Sequence, residues 1–313
     1  MSITAVAHPN IALIKYWGKQ ALPGNIPATP SVSITLDSLT STTMVRPSDT
    51  DQIFLNGKAT EDAKISACLY MLRADFRIAP VAIESENNFP TAAGLASSAS
   101  GFAALITALD AFSNLGLTTE ERTIYARKAS GSAARSIFGG FASLGGPDWV
   151  GRPVLDRDDW PLKVVIAITD ENRKSVSSSL GMKTSEETSP YYAAWVSSTA
   201  EDYEAALQAI AVRDFERLAL LSESSCLKMH GVMQSSLPAM IYWRPATLSC
   251  IHAVRELRSN GTPVFFTIDA GPQVKAVCLP NAVEKVAAEL AAIPGVIATH
   301  TVGLGEGARL LEP

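Results

Sequence analysis

Asn88-Phe-Pro-Thr-Ala-Ala-Gly-Leu-Ala-Ser-Ser-Ala-Ser-Gly101, followed at once by the apolar run Phe102 to Phe112, governs how the rest of this chain is read. Glycine, alanine and serine are packed here more densely than an ordinary loop requires. Small side chains let a ligand approach the backbone, and serine hydroxyls add donors beside free amides. The run behind them has the composition of a buried helix. A helix start with uncovered amides and a positive dipole end is a natural phosphate site. The stretch therefore points to a phosphorylated ligand such as ATP, with a tight turn ahead of a core helix as the alternative.

The chain has 313 residues, 47% hydrophobic and 18% charged, enough to build two domains or one large one around substantial cores. Its net charge of −5 argues against nucleic acid or an acidic membrane as partner. No apolar run approaches the roughly 18 residues that span a bilayer. The apolar opening, Met1 to Ala7, lacks a basic leader and is cut by His8-Pro9-Asn10, so it does not read as a signal peptide. Cys68, Cys226, Cys250 and Cys278 lie far apart without a CxxC pair, which reads as reduced, mostly buried thiols in a cytoplasmic protein.

Strand patterns occur at Ser2 to Ala7, Ser41 to Arg46, Gln52 to Leu55 and Val81 to Glu84. Ser31 to Leu36 alternates apolar and polar residues and reads as a half-buried strand. Asn56-Gly57 is a hairpin turn signal. Helices are predicted over Glu61 to Phe76, Ser100 to Phe112 and Thr119 to Ser130, the last behind a Thr118 N-cap with an acidic first turn. Phe138 to Leu144 follows as a strand. Gly145 to Trp160, rich in Gly, Pro and Asp, reads as an exposed connection and sets the domain limits at 1–160 and 161–313. Beyond it come a buried strand at Leu162 to Thr169, helices at Tyr191 to Val212, Asp214 to Met229 and Thr247 to Asn260, and strands at Val264 to Ile268 and Ala276 to Leu279. A helix over Ala282 to Ala292 and a strand over Ala298 to Val302 close the chain, so the fold class is α+β.

Four further segments offer chemistry. In His8-Pro-Asn-Ile-Ala-Leu-Ile-Lys-Tyr-Trp-Gly-Lys19, Lys15 and Lys19 are spaced four apart around Tyr16, Trp17 and Gly18. Ammonium groups act there as point charges for a polyanion, unless they are a solvated surface pair. In Ser130-Gly-Ser-Ala-Ala-Arg-Ser136, Arg135 can clamp a phosphate or carboxylate bidentately beside Ser130 and Ser132; a capped helix end is the plainer reading. Lys174-Ser-Val-Ser-Ser-Ser179 is a second hydroxyl-rich loop. Thr267-Ile-Asp-Ala-Gly-Pro272 carries Asp269 out of an apolar strand into a turn, where it is either a site carboxylate or a turn former. None of the four histidines sits in a nucleophile–base pattern, and His230 reads as structural.

In this order and spacing, Asn10 to Lys19, Asn88 to Gly101, Ser130 to Gly140 and Asp269-Ala-Gly-Pro272 resemble the mevalonate diphosphate decarboxylases of the GHMP kinase superfamily. The resemblance implies a GHMP-kinase-like two-domain fold: an N-terminal α/β domain with a left-handed crossover, a C-terminal ferredoxin-like domain, and a site in the cleft between them. It implies ATP and Mg²⁺ as cofactors, mevalonate 5-diphosphate as substrate, and a homodimer. ATP would phosphorylate the tertiary 3-hydroxyl, and loss of that phosphate with CO₂ would give isopentenyl diphosphate. Carried onto this chain, Asp269 would orient or deprotonate the hydroxyl, Lys15 would sit beside it, and Arg135 would hold the carboxylate with Ser130 and Ser132 nearby. Tyr16 and Lys19 would contact the 5-diphosphate, and Arg73 would be a further substrate-binding residue. Gly94, Ser97 and Ser98 would surround the ATP phosphates, with Ser178 near the transferred group. The metal ligands are not assigned. The chain departs from the family's usual Arg-Asp after Lys19, with Gln20-Ala21, and from its Asn-Ser-Ser, with Thr29-Pro30-Ser31. Both departures flank the expected 5-diphosphate pocket and leave open a monophosphate substrate; a kinase that stops at the 3-phosphate is a further alternative, since decarboxylation would follow phosphorylation in the same site. A non-catalytic nucleotide-binding regulator on the same fold is the reading from a different class.

Overall fold

Short β-branched runs punctuated by Pro, Gly and Asn give this chain its strands, and the longer apolar periodicities give its helices. The computed structural model describes residues 2–89, 97–172 and 176–311. The chain runs β1 (Ile3–Ala7), β2 (Asn10–Ile14), β3 (Ser31–Thr35), β4 (Ser41–Pro47), β5 (Gln52–Leu55), β6 (Lys58–Ala59), α1 (Ala63–Asp75), β7 (Val81–Asn87), α2 (Ser97–Ser113) and α3 (Thr119–Ala129). A 3-10 segment, Gly131–Ile137, leads into β8 (Phe141–Gly145) and β9 (Val150–Leu155). There follow β10 (Lys163–Ile168), α4 (Ser178–Thr188), α5 (Tyr192–Ala211), α6 (Phe215–Gln234), α7 (Pro245–Ser259), β11 (Val264–Ile268), β12 (Val274–Cys278), α8 (Val283–Ala291), β13 (Ala298–Val302) and β14 (Arg309–Leu310).

Local chemistry sets several of these boundaries. Thr118 and Glu121 form a reciprocal capping box at the start of α3, and the Asp62 carboxylate accepts the Lys64 and Ile65 amides at the start of α1. Asn56 and Gly57 take φ of 49° and 74°, the left-handed pair that joins β5 to β6 as a tight hairpin.

Three sheets result, ordered β14-β1-β4-β7-β5-β6, β2-β3-β8-β9 and β11-β12-β10-β13. The third is antiparallel throughout and, with its helices, follows the β-α-β-β-α-β path of a ferredoxin-like domain. The chain end then crosses back: Gly305 N–H donates to Thr35 O, and β14 pairs with β1.

Strand β10 shows how the layers lock together. Val164, Ile166 and Ile168 enter a core shared with Ile11, Leu13, Val32 and Ile34 of β2 and β3. Val165 and Ala167 enter a second core under α7 and α8. One apolar layer therefore joins the sheets of the two halves, and the cleft above it has a packed floor.

The structure corrects three sequence expectations here. β3 is not half-buried: Ser31, Ser33 and Thr35 are as buried as Val32 and Ile34, because the polar face covers the 3-10 segment instead of meeting water. The stretch after Gly145 is not merely a connection, since it contains β9, which pairs with β8. Its Pro153 is tolerated because β9 is an edge strand. The hydroxyl-rich loop continues into a helix: the Ser177 hydroxyl accepts the Leu180 amide and starts α4; residues 173–175 lie outside the described residues.

Candidate active site

A cleft of about 1640 Å³ opens between the two halves. Its chemistry concentrates where β2 ends against β11. The Thr267 hydroxyl donates to Ala12 O and the Lys15 amide donates to the Ser225 hydroxyl, so β2 is tied to both β11 and α6. Lys15 follows β2 directly and Asp269 follows β11 directly, and their side chains meet with Nζ 2.6 Å from Oδ1. The other oxygen, Oδ2, lies 3.2 Å from Lys275 Nζ of β12. Both lysine side chains are 1% exposed, while Asp269 keeps 25% of its surface open to the cleft.

Burial alone would raise the Asp269 carboxyl. The ammonium groups of Lys15 and Lys275 outweigh that and hold it well below the usual carboxylate range. Lys275 is itself pushed down, first by burial and against the pull of Asp269.

Arg135 forms the second centre. Its position on the 3-10 segment aims the guanidinium at the polar face of β3, where Nη1 donates to Ser31 Oγ at 2.6 Å and Nε to Ser33 Oγ at 3.0 Å. Nη2 donates to Asn10 Oδ1 at 3.2 Å, and Asn10 Nδ2 is in turn held by Ser136 Oγ and Ser132 O. All of these acceptors on Arg135 are neutral oxygens, and among the described residues no carboxylate forms an ion pair with it. Burial lowers its pKa to about 10, so it stays charged at neutral pH and is suited to an anion arriving from the cleft.

Tyr16, Lys19, Ser97, Ser98, Ser130, Ser132 and Ser178 also line the cleft. The Tyr16 hydroxyl is buried without a protein partner, and burial raises its pKa, so it stays a neutral phenol. Lys19 Nζ donates to Asn25 Oδ1 at 2.7 Å, and Asn25 is anchored on Lys128 O, so the segment that departs from the family pattern folds into a closed turn over Lys19. The Ser130 hydroxyl reaches Ser98 Oγ at 3.4 Å, bringing the two serine-rich segments together.

Two expected site residues do not join this group. Arg73 lies in the last turn of α1, where its guanidinium pairs with Asp51 and donates to Ile78 O and Ala79 O. It is absent from the cleft wall. Gly94 lies outside the described residues. Lys275 contacts Asp269, and Asn10, Ser31 and Ser33 contact Arg135, none of which the spacing of sequence motifs singled out. The available signal for Lys275 was a lysine inside the apolar strand Val-Lys-Ala-Val-Cys. His230 is 1% exposed, packs on Trp243 and is pushed down to about 3 by burial, a neutral structural ring as expected. The four cysteines are free and buried, also as expected.

Among the described residues no trio of His, Cys, Asp or Glu converges to hold a metal ion, and no helix is long and apolar enough to cross a membrane.

Residues 7–146 match the profile of the diphosphomevalonate decarboxylase-like N-terminal domain, and residues 164–301 that of the mevalonate 5-diphosphate decarboxylase C-terminal domain. The chain is 35% identical over 298 residues to diphosphomevalonate decarboxylase of Candida albicans, covering 87% of this chain and 82% of that one. Mevalonate diphosphate decarboxylase from Staphylococcus aureus has a similar solved structure, with a TM-score of 0.92 at 35% identity over 99% of this chain and 98% of that one. A solved complex of MDDEF with MVAPP, AMPPCP and magnesium gives a TM-score of 0.91 at 35% identity, covering 100% and 99%. Two matching profiles, full-length relatives and a cleft that unites Lys15, Arg135 and Asp269 lead to one conclusion: the chain belongs to the mevalonate diphosphate decarboxylase family.

Proposed function

We propose that this chain uses ATP to decarboxylate mevalonate 5-diphosphate, yielding isopentenyl diphosphate, ADP, phosphate and CO₂. The observation that carries the reading is the Lys15–Asp269 pair on the open wall of a cleft large enough for a nucleotide and a small diphosphate side by side. In the first step the 3-hydroxyl oxygen attacks the terminal phosphorus of ATP, and ADP leaves. A carboxylate as acidic as Asp269 takes up a proton poorly in the ground state. Its first task is therefore to align the hydroxyl, accepting its hydrogen bond and receiving the proton only as the new P–O bond forms. Lys15 places positive charge beside the oxygen that carries the transferred group.

In the second step the C3–O bond breaks and phosphate departs. The electrons of the bond to the carboxylate carbon become the new double bond, and CO₂ is released. Arg135, held rigid by Ser31, Ser33 and Asn10, would keep that carboxylate aligned with the leaving phosphate. Tyr16 and Lys19 would receive the 5-diphosphate. Ser97, Ser98 and Ser178 would face the ATP phosphates. The serine hydroxyls lining the cleft fit an ion brought in on the nucleotide, which they would hold as protein partners. Magnesium bound there would neutralise phosphate charge. The reading extends to a cytoplasmic protein that binds no nucleic acid, supported by four free buried thiols and a net charge of −5, and, through the family resemblance alone, to a homodimer.

Asp269→Asn tests the assignment. CO₂ release is expected to fall by about 10²–10⁴-fold, with the dissociation constant for ATP nearly unchanged. Undiminished turnover would remove Asp269 from the chemistry.

A further inference from the structure

Strand β12 alternates in a way that its function does not require for packing. Val274, Ala276 and Cys278 fill the core beneath α7 and α8, so Lys275 and Val277 face the opposite side, toward the N-terminal half. Val277 is apolar and joins the shared core. Lys275, one alternation nearer the turn, is opposite Thr267 of β11 in register and places its ammonium against Asp269 across that turn. A fully buried lysine is costly unless it is paired. Here it shares its carboxylate with Lys15, so one Asp269 side chain is gripped on both oxygens, Oδ1 at 2.6 Å and Oδ2 at 3.2 Å.

We propose that Lys275 is a positioning residue of the reaction: by holding Oδ2 while Lys15 holds Oδ1, it fixes the plane of the Asp269 carboxylate against the substrate hydroxyl. The inference rests on the decarboxylase reading above. With either lysine alone the carboxylate could rotate about its Cβ–Cγ bond. With both, each oxygen has its own ammonium partner and that rotation is opposed. The two ammonium groups also keep the carboxylate ionised. Of the other ionisable groups around it, Arg135 from the 3-10 segment remains cationic, Cys226 of α6 is pushed up to about 11 and His230 of α6 down to about 3, chiefly by burial, and burial also pushes Lys275 down.

The test is Lys275→Met beside Lys275→Arg, measured as kcat and KM for CO₂ release from mevalonate 5-diphosphate and ATP, with the Asp269 carboxyl followed by ¹³C NMR in each folded protein. In Lys275→Met, kcat is expected to fall about 10–100-fold and the Asp269 carboxyl to titrate higher than in the unaltered protein, having lost one cationic neighbour. The KM for ATP should stay close to that of the unaltered protein. Lys275→Arg, which keeps the cation, should recover part of kcat and return the Asp269 titration toward its original position. A folded Lys275→Met with unchanged kcat would overturn the proposal. Should both variants fail to fold, the unaltered protein serves: its Asp269 carboxyl is followed by ¹³C NMR, assigned with Asp269→Asn. No titration is expected above the ordinary aspartate value of about 3.9, and a midpoint at or above it would overturn the proposal. Absence of CO₂ release from the unaltered protein would instead defeat the functional reading, and the NMR arm would still decide whether the ammonium groups hold the Asp269 carboxylate ionised.

Discussion

Adding one methyl group to Gly131 should impair substrate binding through Tyr16. A Cβ built on Gly131 falls 2.5 Å from Tyr16 Oη, 2.8 Å from Cζ and 3.0 Å from Cε1. Ordinary contact begins near 3.4 Å, so the phenol must withdraw by about 0.9 Å at its tip. The ring has little room, since Tyr16 packs against the cluster of Trp17, Met182, Trp195 and Met229. Overpacking of this kind costs about 1–3 kcal/mol of stability. The functional effect should be larger, because the displaced hydroxyl is buried without a protein partner and is available to a ligand. A misplacement near 1 Å reduces kcat/KM by about 10²-fold. A coupled ADP assay with separate titrations of ATP and mevalonate 5-diphosphate, beside a thermal melt, reads both consequences. The expected result for Gly131→Ala is a raised KM for the diphosphate, a nearly unchanged KM for ATP and a modestly lowered Tm. In a Tyr16→Phe background the closest remaining atom is Cζ at 2.8 Å, so Gly131→Ala should cost less there and the two changes should couple. An unchanged kcat/KM in a folded Gly131→Ala would refute the placement of Tyr16 at the substrate.

Two other glycines have open space around them and separate stability from binding. Gly231, inside α6, meets nothing within 4 Å, so Gly231→Ala should stabilise by about 0.5–1 kcal/mol in denaturant melts and leave kinetics alone. Gly101, near the start of α2, also meets nothing within 4 Å but lines the cleft, so Gly101→Ala should weaken nucleotide binding in calorimetry without lowering Tm. Arg135→Lys keeps the charge but cannot bridge Ser31, Ser33 and Asn10 together, so it should lower kcat/KM by at least about tenfold and destabilise the fold by about 1–3 kcal/mol.

The sequence made the termini of elements legible where a single residue does the work, as with the Thr118 capping box and the Asn56-Gly57 hairpin. Lys15, Arg135 and Asp269 are brought into one expected site by the family resemblance of the segments that carry them, since each segment alone also reads as a surface pair, a capped helix end or a turn. What the sequence concealed was pairing across long separations. The serines of β3 alternate as a solvated face does, and only the fold shows that Arg135, more than a hundred positions later, covers them. Strand β9 was hidden by its own proline, acceptable at an edge that sequence alone does not reveal. Lys275 falls outside the expected strand Ala276 to Leu279, and only the register of β11 and β12 sets it opposite Thr267 and against Asp269. Arg73 shows the converse: an isolated arginine on a helix matches many patterns, and its nearest carboxylate, Asp51, decided where it went.

The most direct test of the account is the stoichiometry of ADP and CO₂ released by the purified protein with ATP and Mg²⁺, using mevalonate 5-diphosphate and, separately, the 5-monophosphate. One CO₂ for each ADP is expected with the diphosphate, and little turnover of the monophosphate. Preference for the monophosphate, ADP without CO₂, or no turnover of either would contradict it.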